Sequence, residues 1–201
     1  VYRGEVTFIL PHGDEVFKGD TGVPVGHYAP YELEPGIIED AREQLTAAIN
    51  AMGLDNCAIN ADFILKDGKT YVLEIGGRSG ATCLAELVSI YYGFDYYEKI
   101  LRCALGEDVA FECGKAAVPN ASRLLMSKDK SGVIKSQTDK NPENPDIFEV
   151  QFDYKLGDRV RKFHVGPDRI GHVITKGETL LQAQSALEAA YSNIEIQIDS
   201  E

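Results

Sequence analysis

A predicted β-hairpin within residues 57–86 constrains this chain more than any other feature. Its two apolar segments, Ala58–Leu65 and Thr70–Ile75, are rich in the β-branched and aromatic residues that favour strands. Between them stands Lys-Asp-Gly at 66–68, a turn signal in which Gly68 adopts a positive φ without strain. A glycine-rich segment and the start of a helix follow. The register of this hairpin decides which side chains share a face, and therefore whether it can form a site.

Two hairpin loops fit this turn, and they place two acidic residues differently. A two-residue Asp-Gly loop sets Asp62 opposite Leu73, so that Asp62 and Glu74 point to opposite faces. A three-residue loop with Gly68 in the left-handed conformation sets Asp62 opposite Val72, and the two acids then share a face roughly 7 Å apart. The three-residue loop also collects a continuous apolar face, and we therefore favour it. The residues of that face are Ala61, Phe63, Leu65, Tyr71, Leu73 and Ile75.

Two carboxylates on one face of a sheet repel each other unless a positive charge lies between them. A hard divalent cation with oxygen ligands meets that need, and Asn60 adds an amide on the same face. Arg78 follows Glu74 by four residues, among three glycines, and is a fixed cation beside the same place. The simpler alternative is that Asp62 and Glu74 are solvated residues on the open face of an antiparallel sheet. Spacing alone leaves both interpretations open.

The composition limits the classes of function. A chain of 201 residues is long enough for one large domain or two small ones. A formal net charge of −12 argues against nucleic-acid binding as the main activity. The apolar runs are too short to span a bilayer, so we expect no membrane partner. The four cysteines lack a CxxC spacing and indicate a reducing, cytoplasmic compartment. The chain begins with Val1 rather than Met, and we expect it to be a piece of a longer protein.

Hydrophobic periodicity predicts strands and then helices in the first half of the chain. Alternating residues predict strands over 5–10 and 15–17. Thr82 is the predicted N-cap of the second helix, and glycines end the first two helices. The predicted helices span Ile37–Met52, the residues from Thr82 to Gly93, and Tyr96–Leu105.

From residue 107 the pattern changes to short strands. Thr179 and Gln182 form a capping-box pattern for one further helix. The predicted elements are strands over 121–127, 132–137, 147–152, 159–164 and 170–175, a helix over 180–191 and a strand over 194–198. We therefore predict an α+β fold. An antiparallel sheet with packed helices would occupy residues 1–108, and a small α+β domain would occupy residues 109–201.

Several of these residues form a pattern that resembles ATP-grasp ligases. Asp62, the turn, the segment Glu74-Ile-Gly-Gly-Arg78 and the helix ending before Phe94-Asp95 resemble the C-terminal half of an ATP-grasp domain. The branch is that of biotin carboxylase and carbamoyl phosphate synthetase, which has the same twelve-residue step between its two acids. Residues 109–201 are similar to the small C-terminal domain of biotin carboxylase and of ATP-dependent amino-acid ligases. The resemblance therefore covers nearly the whole chain.

This resemblance implies ATP and Mg²⁺ as cofactors, and a small-molecule carboxylate and an amine as substrates. Asp62 and Glu74 would hold Mg²⁺, and Glu5, Asn60, Asp62 and Glu74 would contact the nucleotide. Arg78 would be the catalytic residue, because its charge would stabilise an acyl phosphate or the tetrahedral species formed from it. Substrate contacts would come from His27, Gly77, Ser79 and Gly80.

The sequence departs from the ATP-grasp pattern at two points. Gly76 stands where the family carries an asparagine, which leaves Asn60 as the neighbouring amide and puts a second metal in doubt. The segment EIGGRSG is similar to that of amino-acid and dipeptide ligases, and we lean to that branch. The family's N-terminal domain and its lysine-bearing nucleotide subdomain are not in this chain. We expect that half to be supplied in cis or in trans, and a homodimer is an open alternative.

Three hypotheses follow for the function. The first is a carboxylate–amine ligase that phosphorylates a carboxylate with Mg·ATP and forms an amide on amino-acid-like substrates, with this piece inactive alone. The second is a non-catalytic ligand-binding or scaffold module, favoured by Gly76 and by the absent nucleotide half. The third is a bicarbonate-using carboxylase or carbamoyl-type ligase, for which Lys18 and His27 are the loop candidates. We rank the first above the other two.

Overall fold

The computed structural model describes residues 1–17, 22–111 and 117–199, and predictions about Lys18 and Cys113 lie outside these residues. Within them, ten strands form antiparallel sheets and four helices pack against the strands, which confirms the predicted α+β class. The strands are β1 (Gly13–Val16), β2 (Pro24–Ala29), β3 (Asn60–Lys66), β4 (Lys69–Gly76), β5 (Asn120–Leu125), β6 (Gly132–Asp139), β7 (Ile147–Phe152), β8 (Arg159–Val160), β9 (Gly171–Lys176) and β10 (Ile194–Asp199). The helices are α1 (Pro35–Met52), α2 (Leu84–Tyr92), α3 (Tyr96–Ala104) and α4 (Leu180–Ser192).

The largest sheet has the strand order β1-β2-β5-β9-β7, and all of its pairs are antiparallel. It joins strands from both sides of residue 108, and the proposed division of the chain at that residue stays a prediction. Arg123 on β5 connects this sheet to α4, since its Nε donates to Glu15 Oε2 at 2.7 Å and its Nη1 donates to Glu188 Oε2 at 2.9 Å. The ion pairs therefore link β1, β5 and α4.

The main hydrophobic core lies between the large sheet, the sheet β10-β6-β8 and helix α4. Helix α4 begins as the capping pattern predicted, because Thr179 Oγ1 accepts a hydrogen bond from the Gln182 amide at 3.2 Å. The Gln182 side chain in turn accepts from the amide of Glu178 at 3.0 Å. The buried members of this core are Ala121, Leu125, Ile134, Val160, Ile170, Val173, Leu187 and Ala190.

The predicted strand over residues 5–10 is wrong. The structure gives this region one isolated bridge between Tyr2 and Glu5, and residues 6–10 pair with no strand among the described residues. Phe8 packs instead against aromatic rings, with centroids 4.7 Å from Tyr92 and 5.8 Å from Phe94. The alternating apolar residues here therefore serve side-chain packing rather than a sheet. Strand β2, which carries His27, was not predicted.

The helices of the first half match their predictions except at one end. Gly53 and Gly93 close α1 and α2 in the left-handed conformation, as predicted. The predicted N-cap Thr82 is wrong, because Thr82 has a φ of 59° and α2 begins two residues later, after Cys83. Helix α3 is capped by Asp95, whose side chain accepts from the amide of Glu98 at 3.0 Å. Among the described helices, none is both long and apolar enough to cross a membrane.

Helix α1 packs against strand β4 and fixes the orientation of the β3–β4 hairpin. Thr70 is 3% exposed, and its amide and Oγ1 donate to Asp40 Oδ2 at 2.7 and 2.6 Å. The carbonyl of Thr70 also accepts a hydrogen bond from the side chain of Gln44. One face of the hairpin is therefore held against α1, and the other face is free to form a site.

Candidate functional site

Strands β3 and β4 place the two predicted acids directly opposite each other. The loop between them has two residues, with Lys66 paired to Lys69 and positive φ values at Asp67 and Gly68. The predicted three-residue loop is therefore wrong. A β-bulge at the step between Asp62 and Phe63 shifts the register by one residue, so that Asp62 pairs with Glu74. The shared face that we predicted thus arises from a bulge within the hairpin rather than from its turn.

The two-residue loop changes which residues form the apolar face of the hairpin. Tyr71 and Leu73, which we placed on that face, are 51% and 67% exposed. Thr70 and Val72 pair with Leu65 and Phe63 instead and are more buried. With a two-residue loop, each residue of β4 before the bulge pairs one position away from the predicted partner on β3. The side chains of that part of β4 therefore point to the opposite face from the one predicted.

Asp62 and Glu74 form an exposed pair of carboxylates on the open face. Directly opposed residues in an antiparallel pair have Cβ atoms about 4.5–5.5 Å apart, closer than the diagonal arrangement predicted. Among residues 1–17, 22–111 and 117–199, no cation forms an ion pair with either carboxylate. Asn60 pairs with Gly76, two residues away from Asp62 and Glu74 along the two strands, and therefore lies on the same face. The arrangement is a set of oxygen donors with uncompensated negative charge.

Arg78 lies beside these donors. Its side chain is exposed, and Nη1 donates to the carbonyl of Ser79 at 2.8 Å. A Cβ atom built on Gly76 would lie 3.6–3.9 Å from the Arg78 side chain. Because Gly76 is paired with Asn60, that Cβ would point to the face of the acids, and Arg78 therefore covers this face at the end of the hairpin.

The segment after β4 approaches Asn60 closely because Gly80 has no side chain. A Cβ at position 80 would lie 2.8 Å from Asn60 Oδ1 and 2.9 Å from Leu84 Cβ. Thr82 and Cys83, which follow, have φ values of 59° and 69°, a conformation that costs free energy for residues other than glycine. Two strained residues beside a constellation of polar groups are typical of functional sites.

A cavity of about 460 Å³ opens beside β3, and its mostly apolar lining comes from the segment before β1, from β3 and from helices α1, α2 and α3. Asn60, Asp62 and Gly80 line this cavity. Six of the predicted site residues, all of them described, lie outside the lining: Glu5, His27, Glu74, Gly77, Arg78 and Ser79. Glu5 is exposed in the turn at the start of the chain, and no contact of its side chain joins it to the acid pair.

His27, a predicted substrate contact, is buried on β2 and belongs to a cluster that the sequence did not predict. Its Nδ1 lies 2.7 Å from Asp14 Oδ1, and His12 Nε2 lies 3.5 Å from the same oxygen. Burial raises the pKa of Asp14, but the hydrogen bond to His27 and the charges of both histidines outweigh it and lower the pKa overall. Burial also lowers the pKa of His12, while the charge of Asp62 raises it slightly.

Known proteins share this arrangement of strands and helices. Residues 125–199 match the family described as L-amino acid ligase C-terminal domain 2. The structure superposes with a TM-score of 0.91 on phosphoribosylglycinamide synthetase from Anaerococcus prevotii, at 39% sequence identity over 99% of this chain. The chain has the fold of the C-terminal part of an ATP-grasp ligase. This confirms the resemblance predicted from the sequence.

Two further ATP-grasp structures show the same fold at lower identity. L-amino acid ligase from Bacillus licheniformis has a TM-score of 0.74 and 18% identity over 92% of this chain. The biotin carboxylase domain of Hydrogenobacter thermophilus 2-oxoglutarate carboxylase, solved as a dimer with MgADP, ADP and bicarbonate, has a TM-score of 0.70 and 18% identity over 87%. The chain spans 51%, 46% and 39% of the lengths of these three structures. No curated protein matches the sequence.

The oxygen donors of Asp62, Glu74 and Asn60 suit Mg²⁺. Two exposed carboxylates and a nearby amide offer the hard oxygen ligands that Mg²⁺ takes from proteins, and Mg²⁺ keeps room for water and phosphate oxygens. Gly76 supplies no side-chain ligand at the place where the ATP-grasp pattern has an asparagine. The nearest side-chain amide across the strand pair is that of Asn60.

Proposed function

We propose that this chain is part of an ATP-dependent carboxylate–amine ligase and contributes the metal-binding acids and a charge-stabilising arginine. The observation that carries this proposal is the direct pairing of Asp62 with Glu74, on a face that Arg78 covers. A solvated sheet face does not need two like charges directly opposite each other, because such a pair is destabilising. A cation-binding role accounts for the pair.

The proposed reaction has two steps. First, a carboxylate oxygen of the substrate bonds to the γ-phosphorus of ATP while the bond from that phosphorus to ADP breaks. An amine nitrogen then bonds to the acyl carbon, the bond to the phosphate oxygen breaks, and the amine loses a proton, which gives an amide and inorganic phosphate. Mg²⁺ held by Asp62 and Glu74 would neutralise the phosphate oxygens. The guanidinium of Arg78 stabilises the negative charge on the acyl phosphate or on the tetrahedral species.

The relatives support amino-acid-like substrates. The relative at 39% identity is named for a product that is an amide of glycine, and a second ligase is named for L-amino acids. We therefore infer that the carboxylate belongs to an amino acid or a compound like it. The bicarbonate complex belongs to a structure only 18% identical, which supports the shared fold but not a shared substrate.

The nucleotide cleft requires more than the residues seen here. The chain spans about half of the ATP-grasp structures that it matches. We propose that the other half is supplied in cis or in trans, and that residues 1–201 alone bind ATP poorly and do not turn it over. A homodimer, like the one named for the biotin carboxylase domain, and a cytoplasmic location remain proposals.

Two variants of the intact protein test the acid pair. Asp62→Ala and Glu74→Ala should each abolish Mg²⁺-dependent ADP formation, whereas Asp129→Ala, at an exposed loop residue, should leave it unchanged. Undiminished turnover in either acid variant would contradict the assignment.

A non-catalytic module is the second candidate, and Gly76 in place of the usual asparagine is the observation in its favour. An intact wild-type protein that binds no nucleotide, with or without Mg²⁺, would support this candidate instead.

A further inference from the structure

The hairpin of β1 and β2 brings together three side chains that can bind a metal. Asp14 on β1 pairs directly with His27 on β2, so their side chains share a face of the sheet. His12 precedes Asp14 by two residues and reaches the same side. One ligand atom from each of the three lies within 4.8 Å of the others, and no other such group occurs among the described residues.

The distances suit a metal ion. A tetrahedral ion with ligands about 2.1 Å away separates those ligands by about 3.4 Å. The distances between Asp14 Oδ1 and the histidine nitrogens are 2.7 Å for His27 Nδ1 and 3.5 Å for His12 Nε2, so movements of less than about 1 Å would admit an ion. The two imidazole rings are nearly perpendicular, at 85°, with centroids 5.3 Å apart. They converge on the carboxylate from different directions.

The backbone carbonyl of Leu10 lies beside the ring of His12. A backbone carbonyl in this place commonly orients a metal-binding histidine.

The cluster is both supported and accessible. His27 is 5% exposed and held within the sheet, whereas the side chains of His12 and Asp14 are 23% and 42% exposed. On the opposite face, the ring of Tyr28 lies where a side chain at Gly13 would stand, so that residue 13 must lack one. His12 and Asp14 both line the 460 Å³ cavity. An ion can therefore enter from the cavity while the sheet holds its deepest ligand.

We propose that His12, Asp14 and His27 bind one divalent transition-metal ion, with Zn²⁺ as the best match, at the edge of the cavity. Two imidazoles and one carboxylate are a donor set for zinc and its first-row neighbours, whereas Mg²⁺ prefers oxygen ligands alone. Three protein ligands leave one position for water or for a carboxylate or amine in the cavity. The site is distinct from the pair Asp62 and Glu74, and it does not rest on the proposed ligase activity.

Zinc binding to the intact protein tests this site without any measurement of activity. After removal of metals with EDTA, calorimetric titration with Zn²⁺ should show one equivalent bound per chain, still bound in the presence of millimolar Mg²⁺. Titration with Co²⁺ should give the visible absorption bands of a low-coordinate nitrogen and oxygen site. His12→Gln, Asp14→Asn and His27→Gln should each weaken Zn²⁺ binding by about 100-fold or more. Because Asp14 is partly exposed, Asp14→Asn should fold normally even if a change at the buried His27 does not.

Two control variants distinguish this site from zinc binding at a surface histidine and from zinc binding at the Asp62–Glu74 pair. His164→Gln removes an exposed histidine and should leave Zn²⁺ affinity unchanged. Asp62→Asn removes an acid of the proposed Mg²⁺ site, and it should weaken Zn²⁺ binding far less than the three ligand variants do, because Asp62 contributes charge near His12 but no ligand. The proposal is overturned if folded wild-type protein binds no Zn²⁺, since Asp14 and His27 would then be only a hydrogen-bonded pair. It is equally overturned if Asp62→Asn abolishes Zn²⁺ binding while His12→Gln and Asp14→Asn do not.

Discussion

Asp62→Asn should stabilise the protein without Mg²⁺ while removing its affinity for Mg·ATP. The structure sets Asp62 directly opposite Glu74 on an exposed face, and asparagine removes one charge with little change of shape. Two carboxylates about 5–6 Å apart in water repel by about 0.8 kcal/mol, within the range of about 0.2–1 kcal/mol for like charges on opposed strand positions. For a chain of this length, the variant should therefore melt about 1–3 °C higher.

Thermal unfolding followed by circular dichroism measures this effect, at low salt and again in 1 M NaCl. The gain should vanish at high salt, where the Debye length is about 3 Å. Asp129→Asn is the matched control, because it changes the net charge equally at an exposed loop residue between Lys128 and Lys130. Mg²⁺ should raise the melting temperature of the wild type and leave Asp62→Asn unchanged. A variant that melts below the wild type, or a gain equal to that of Asp129→Asn, would refute the reasoning.

Three further substitutions test neighbouring parts of the structure. Arg78→Ala in the intact protein should lower kcat about 10²–10³-fold and spare nucleotide affinity, because the exposed side chain contributes charge rather than packing. A binding titration in which nucleotide affinity falls by as much as kcat would count against this role. Gly80→Ala should lower the free energy of unfolding in urea by about 1–3 kcal/mol, because the new Cβ would meet Asn60 and Leu84. The control Gly36→Ala, where nothing lies within 4 Å of a Cβ, should leave the free energy of unfolding unchanged or raise it. The hydrogen bond from Arg123 lowers the pKa of Glu188 below its ordinary value of 4.5. This ion pair therefore stabilises the protein above pH 4.5, and its contribution is lost as the pH falls through the native pKa. Glu188→Gln should flatten the pH dependence of the urea unfolding midpoint between about pH 7 and 3, and an unchanged slope would show that the ion pair contributes nothing.

The sequence predicted the hairpin and the shared face of its acids, but not the way in which the structure produces that face. Asp67 and Gly68 form the two-residue turn that their chemistry favours. The bulge that restores the pairing of Asp62 with Glu74 lies at Leu73, on the strand that Asp40 of α1 holds through Thr70. A contact with a distant helix cannot be inferred from alternation within one strand. The local sequence pattern therefore predicted which residues form the site, but it did not predict how the two strands pair.

The cluster around His27 was missed for a similar reason. Asp14 and His27 come from two strands that are joined by a loop of little periodicity, and His12 precedes the first of them. Strand β2 itself carries a glycine and a proline, which weaken a strand pattern. The spacing of His12 and Asp14, two residues apart before a strand, was the available signal. Phe8 shows the opposite error, because alternation predicted a strand where aromatic packing against Tyr92 explains the pattern. Elements with strong local signals, such as α1 with its closing Gly53 and α4 with its Thr179 cap, were predicted closely.

ADP release by the intact protein that contains this sequence is the most direct test of the proposed ligase. The assay supplies Mg·ATP with pools of free amino acids and then narrows any active pool to single compounds. The account predicts release that requires Mg²⁺ and a particular carboxylate together with a particular amine, and that is lost in Asp62→Ala. A protein that folds but neither binds ATP nor releases ADP with any pool would contradict it, and would identify the chain as part of a non-catalytic module.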